Sequence, residues 1–150
     1  MKSNKIRLAI IAALYRQEVT DILVKTCVAT LLKKGLKKEQ ITVVRVPGTW
    51  ELHLTAKKLA KSSKFNALIC FGVIKKGNTY HFEQLANECA RVCMQIGLDY
   101  EIPLVYEVLP VYDMKDAMHR AISSDDNRAV EGATTALKMI ELLKSIARER

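Results

Sequence analysis

Several features are missing from this chain, and each absence closes off a class of function. No apolar run approaches the roughly 20 residues that a helix needs to cross a bilayer; the longest are strand-sized. The four cysteines, Cys27, Cys70, Cys89 and Cys93, contain no C-x-x-C pair. Cys89 and Cys93 fall on one face of a helical pattern, but no second ligand pair accompanies them, so the spacing argues against a metal site. Buried free thiols in a reducing compartment are the expectation. A nucleic-acid motif is absent too, as is any basic patch interleaved with aromatics. The formal net charge is +8, yet its lysines are scattered from Lys33 to Lys76 and beyond. Charge of that kind speaks to solubility and steering, not to nucleic acid. Linkers, internal repeats and low-complexity stretches are also lacking.

What is present fits one domain over residues 1–150. A chain of this size buries about 70% of its unfolded surface and needs no disulfide or metal staple. Hydrophobic residues make up 49% and charged residues 27%, as in an ordinary soluble protein. The N-terminus, MKSNKIRLAIIAALYRQE, is basic and then apolar in the manner of a signal peptide. It has no A-x-A cleavage site before YRQE and reads as a first buried strand, so a cytoplasmic protein is expected.

The apolar runs KIRLAIIAAL (5–14), ITVVRVP (41–47), FNALICFGVI (65–74) and IPLVYEVLP (102–110) predict four strands. Between them, residues such as Val19, Ile22, Leu23, Cys27 and Leu31 recur at helical spacing. Gly35, after two lysines, predicts the end of that first helix. Further helices are predicted over 49–63, over 81–100 with a stop near Gly97, over 113–122 with an Asp113 cap, and from 125 onward. The order β-α-β-α-β-α-β-α-α predicts a three-layer α/β/α sandwich with a four-stranded parallel sheet, flavodoxin-like in class.

In open sheets of this kind ligands bind beyond the carboxyl ends of the strands. Most of the unusual residues lie there. His81, one of only three histidines, follows a strand and a glycine turn. A helix start favours its neutral form, which suits proton transfer. Lys76-Gly77-Asn78-Thr79 leads into the same helix, where backbone N–H groups can meet a phosphate. Thr49, Trp50 and Glu51 follow Pro47-Gly48, offering an aromatic and a carboxylate for a polar ring or sugar. Tyr15 and Tyr106 add aromatic faces, and Arg120 is a cation for an anionic ligand. LYRQEVT lacks the glycine- or serine-rich phosphate loop of a flavodoxin-like electron carrier.

VPGTWELHLTAKKLA, FGVIKKGNTYHFEQLANECARV and IPLVYEVLPVYDMKDAMHRA resemble three segments of the lumazine synthase family, in the same order and with little or no gapping from about residue 5 to residue 143. That resemblance implies condensation of 5-amino-6-ribitylaminouracil with 3,4-dihydroxy-2-butanone 4-phosphate, with release of phosphate and water and with no metal or organic cofactor. It assigns proton transfer to His81 and phosphate binding to Arg120, Thr79 and the backbone at Gly77 and Asn78. Glu51 would hold the ribityl chain beside Trp50, and Tyr15 would stack on the pyrimidine. Tyr106 would come from a neighbouring subunit of a homopentamer. Riboflavin synthase is the partner protein it suggests. About four residues precede the first strand, so pentamers or paired pentamers are expected in place of a closed shell.

The chain also departs from the family pattern. Leu14-Tyr15-Arg16 stands where the family reads R-F-N. Ser124 stands where a lysine is expected, with Asp125 and Asp126 following. Glu107 replaces a glycine, and Leu109-Pro110 a leucine–threonine. These changes raise an alternative: a catalytically weak paralogue that binds a flavin or pteridine, or serves assembly.

Overall fold

The computed structural model describes residues 6–149. Its strands are β1 (Leu8–Ala13), β2 (Ile41–Val46), β3 (Ala67–Lys75) and β4 (Leu104–Val111). All pair in parallel, in the order β2-β1-β3-β4. The helices are α1 (Gln17–Lys33), α2 (Leu52–Lys61), α3 (His81–Tyr100), α4 (Met114–Ile122) and α5 (Arg128–Arg148). The expected strand start at Lys5 and the short N-terminal segment lie outside the described residues.

The alternation of β1 explains the layers. Leu8, Ile10 and Ala12 face a core closed by α1, α4 and α5, through residues such as Leu23, Ala117 and Ala133. Ala9, Ile11 and Ala13 face the other core, closed by α2 and α3 through Leu52, Ala56 and Ile96. Every residue of β1 is buried, as a strand covered on both faces requires. The three-layer sandwich expected from the alternation is therefore the fold. No helix among the described residues is long and apolar enough to cross a membrane. All four cysteines are buried and free, and burial pushes the Cys27 thiol up to about 12 and the Cys89 thiol up to about 11.

Several boundaries differ from expectation. The helix predicted from residue 49 opens instead as a 3-10 turn, Thr49–Glu51, before α2 begins at Leu52. The last helix begins at Arg128, three residues late, because the Asn127 side chain accepts from the N–H groups of Ala129 and Val130. Gly35 does end α1, with φ at 105°. Gly97 does not end α3, which runs on to Tyr100 and turns at Glu101 in the left-handed conformation. Gly97 serves close packing: a Cβ there would sit 3.3 Å from the Ile102 carbonyl oxygen and 3.6 Å from Leu104 Cβ. Pro110 lies inside β4, which is tolerated because β4 is an edge strand.

Candidate active site

The carboxyl ends of β1, β2 and β3 open into one cleft of about 330 Å3. Leu14 and Tyr15 donate backbone hydrogen bonds to Val46 and Pro47, at 2.7 and 3.0 Å, which ties the segment after β1 to the end of β2. This brings Tyr15 and Arg16 alongside Gly48, Thr49, Trp50 and Glu51. The far wall is His81, Phe82 and Leu85 on α3, and the floor is Val73 and Ile74 of β3.

Each wall has a local cause. Thr49 is buried because Gly72 of β3 has no side chain: a Cβ there would collide with Thr49 Cγ2. The Cys89 thiol donates to the Thr49 carbonyl oxygen at 3.6 Å, pinning the turn from the α3 side. Trp50 then stands 49% exposed at the rim and meets His53 edge-on, with ring centroids 5.8 Å apart. Tyr15 is 62% exposed, with the Arg16 guanidinium 5.1 Å from its ring centre. His81 is the first residue of α3 and is exposed to the cleft.

Not every expected residue lines this space. Gly77 and Thr79 do, but Lys76 turns away to an ion pair with Glu83 and lies 5.2 Å from the Phe82 ring centre. That hydrogen bond from Lys76 holds the Glu83 carboxyl below its ordinary range. Asn78 is exposed in the same turn but does not line the cleft, and Lys75 does.

Tyr106 and Arg120 line a second cleft, of about 460 Å3, between β4 and α4. Asp116, His119 and Arg128 share it. Phe82 and Tyr112 meet at 6.1 Å between ring centres, so the two clefts approach one another at this ring pair. Arg120 Nη1 donates to Asp126 Oδ2, and Arg128 Nη1 donates to Glu131 at 3.0 Å. Burial pushes the Tyr106 hydroxyl above its usual range. Glu107, on β4, is 7% exposed, and burial with help from Glu131 raises its carboxyl to about 7 against an opposing pull from Arg128.

The sequence reading did not assign Lys75, Phe82 or Arg128 to a site. Phe82 and Arg128 carry a signal in hindsight: each sits in the first turn of a helix whose start faces the carboxyl edge of the sheet. Among the described residues no group of three or more His, Cys, Asp or Glu is placed to hold a metal ion.

The two clefts lie where open α/β sheets bind their ligands, beyond the carboxyl ends of the strands, and are lined by aromatics, two histidines and arginines. The family follows from the sequence as a whole. The family model for 6,7-dimethyl-8-ribityllumazine synthase matches residues 5–144, and the chain belongs to that family. Among solved structures it is similar to a de novo designed Rossmann fold protein, at 12% identity and a TM-score of 0.41, covering 81% of this chain and 99% of that one.

Proposed function

We propose that this chain condenses 5-amino-6-(ribitylamino)uracil with 3,4-dihydroxy-2-butanone 4-phosphate to 6,7-dimethyl-8-ribityllumazine, releasing phosphate and water. The observation that carries the reading is the first cleft, which gathers Tyr15, Thr49, Trp50, Glu51, Gly77, Thr79 and His81 around one space. The pyrimidine ring stacks at Tyr15 and Trp50, and Glu51 accepts hydrogen bonds from the ribityl hydroxyls. Amine attack on a carbonyl requires a proton to leave the amine nitrogen and reach the departing hydroxyl. His81 stands where it can carry that proton. Elimination of phosphate requires its charge to be held, by the Gly77–Thr79 backbone at the head of α3 and by an arginine.

Arg120 shares its cleft with Tyr106 and not with His81. In this reading the two travel together: the second cleft of one copy completes the first cleft of its neighbour, in a homopentamer. Orienting two reactants between copies supplies much of the acceleration.

The test follows the lumazine absorbance band on mixing both substrates with the purified protein. The rate exceeds the spontaneous reaction and falls about ten- to a hundredfold in His81→Ala and in Arg120→Ala. A second reading, a flavin- or pteridine-binding paralogue, is favoured by the Arg120–Asp126 ion pair, which already occupies the phosphate cation. A rate no better than background, with a ring compound still bound at Tyr15 and Trp50, selects that reading.

A further inference from the structure

We propose that Asp126 is a tethered counter-anion in the phosphate site at Arg120 and Arg128, an autoinhibitory carboxylate that lowers the site's affinity for any anionic ligand that enters. The inference rests on the reading that Arg120 receives a phosphate-bearing ligand, and it adds what must leave before that ligand can enter.

Asp126 bridges the two arginines. One carboxylate oxygen accepts from Arg120 Nη1, and the other lies 3.9 Å from Arg128 Nε. The second separation is too long for a hydrogen bond. Arg128 Nε is nevertheless buried, and it finds no hydrogen-bond partner among the described residues. The site therefore presents two cations: Arg120 gives one N–H to Asp126, and Arg128, paired with Glu131 through Nη1, retains a buried, unused Nε–H. A buried donor without a partner costs free energy that a further acceptor oxygen recovers.

The carboxylate is held in place. Ser123 Oγ accepts from the N–H groups of Asp125 and Asp126 at 3.2 and 3.1 Å. Asn127 Nδ2 donates to the Ala121 carbonyl oxygen at 3.0 Å. The turn between α4 and α5 thus fixes Asp126 against Arg120 at little further ordering cost.

Asp126 must leave before an external anion takes its place at Arg120, so a carboxylate and a phosphate are penalised by the same factor, the fraction of the protein in which the pair is open. A phosphate brings a third acceptor oxygen, enough to engage Arg120 and the Arg128 donor together once Asp126 has left. The expelled Asp126 side chain, 39% exposed, has water beside it. Asp125 is the internal control: it hydrogen-bonds Ser124 at 3.1 Å, is exposed, and forms no ion pair with either arginine.

The test titrates inorganic phosphate and acetate into the full-length assembled protein at pH 8 by calorimetry, with Asp126→Asn, Asp126→Glu, Asp125→Asn and Arg120→Ala alongside. Asp126→Asn binds phosphate and acetate each about fivefold more tightly, leaving the preference between them unchanged. Asp126→Glu, which keeps the charge, and Asp125→Asn, which removes one nearby, retain the wild-type affinities. In the lumazine assay Asp126→Asn lowers KM for the butanone phosphate and leaves KM for the uracil unchanged. If Arg120→Ala abolishes phosphate binding but Asp126→Asn leaves both anion affinities and KM as they were, the counter-anion role is overturned and the phosphate site stands. If Arg120→Ala leaves phosphate binding intact, the phosphate site itself falls, and the counter-anion with it.

Discussion

Glu107 is a carboxylic acid in a strand of apolar neighbours, and burial holds its proton well above the ordinary carboxyl range. Burial raises it to about 7 from a usual 4.5, Glu131 adds to the rise, and Arg128 opposes it. The folded chain therefore holds this proton after the unfolded chain has lost it. Stability from the group is full below 4.5 and is lost as pH rises through about 7. Glu107→Gln removes the dependence. The unfolding free energy of the variant, from urea titration, exceeds that of the parent by about 1–2 kcal/mol at pH 8, a figure discounted for the part of the carboxyl that meets the cleft. The gap closes toward pH 4.5; a constant gap across that range means that packing, not the proton, sets the difference. In the sequence Glu107 is visible only as a charge where the family pattern has glycine. Its burial depends on α5 crossing β4, a contact between distant segments that no local pattern encodes. His81, Trp50 and Glu51 were legible for the opposite reason: each follows a strand, and the strand ends were readable from the apolar runs.

Elements come together here by close approaches that small residues permit. β3 meets the 3-10 turn at Gly72 and Thr49, and that meeting sets the height of Trp50 and Glu51 above the sheet. In Gly72→Ala the new methyl drives into a buried threonine held by backbone and by Cys89. The variant loses about 1–3 kcal/mol of stability. Its KM for the ring substrate rises more than its KM for the butanone phosphate, because the turn carries the ring side of the cleft. Equal changes in both constants, or none, show that the turn is positioned otherwise. The order of elements was readable because helical and strand periodicities differ and the apolar runs were clean. Their ends were less so. Glycine at position 97 looks like a stop, yet it continues the helix, because the start of β4 packs against it. A glycine signals either a turn or a near neighbour, and only the tertiary contact decides which.

At the scale of the molecule, the strand order sorts the chemistry. With β1 and β2 to one side of β3 and β4 to the other, segments after β1, β2 and β3 share one cleft, and residues of β4, α4 and the start of α5 share the other. The family resemblance assigns His81 and Arg120 to one site, and the linear sequence is silent about which side of β3 each will face. Exposed apolar side chains, including Tyr80, Met94, Leu98, Tyr112 and Ile122, suit a surface met by further copies. The division has a consequence for inheritance. If each reaction centre draws His81 from one copy and Arg120 from the next, two different defects on separate alleles complement one another. Coexpressed His81→Ala and Arg120→Ala chains, mixed at random, regain about a quarter of the intact centres, whereas either alone stays near background. No recovery in a verified mixed assembly assigns both residues to one copy. Mixed with parent chains, an Arg120 defect leaves about half of the centres intact whichever copy supplies the residue, so the sharing shows only when two different defects meet.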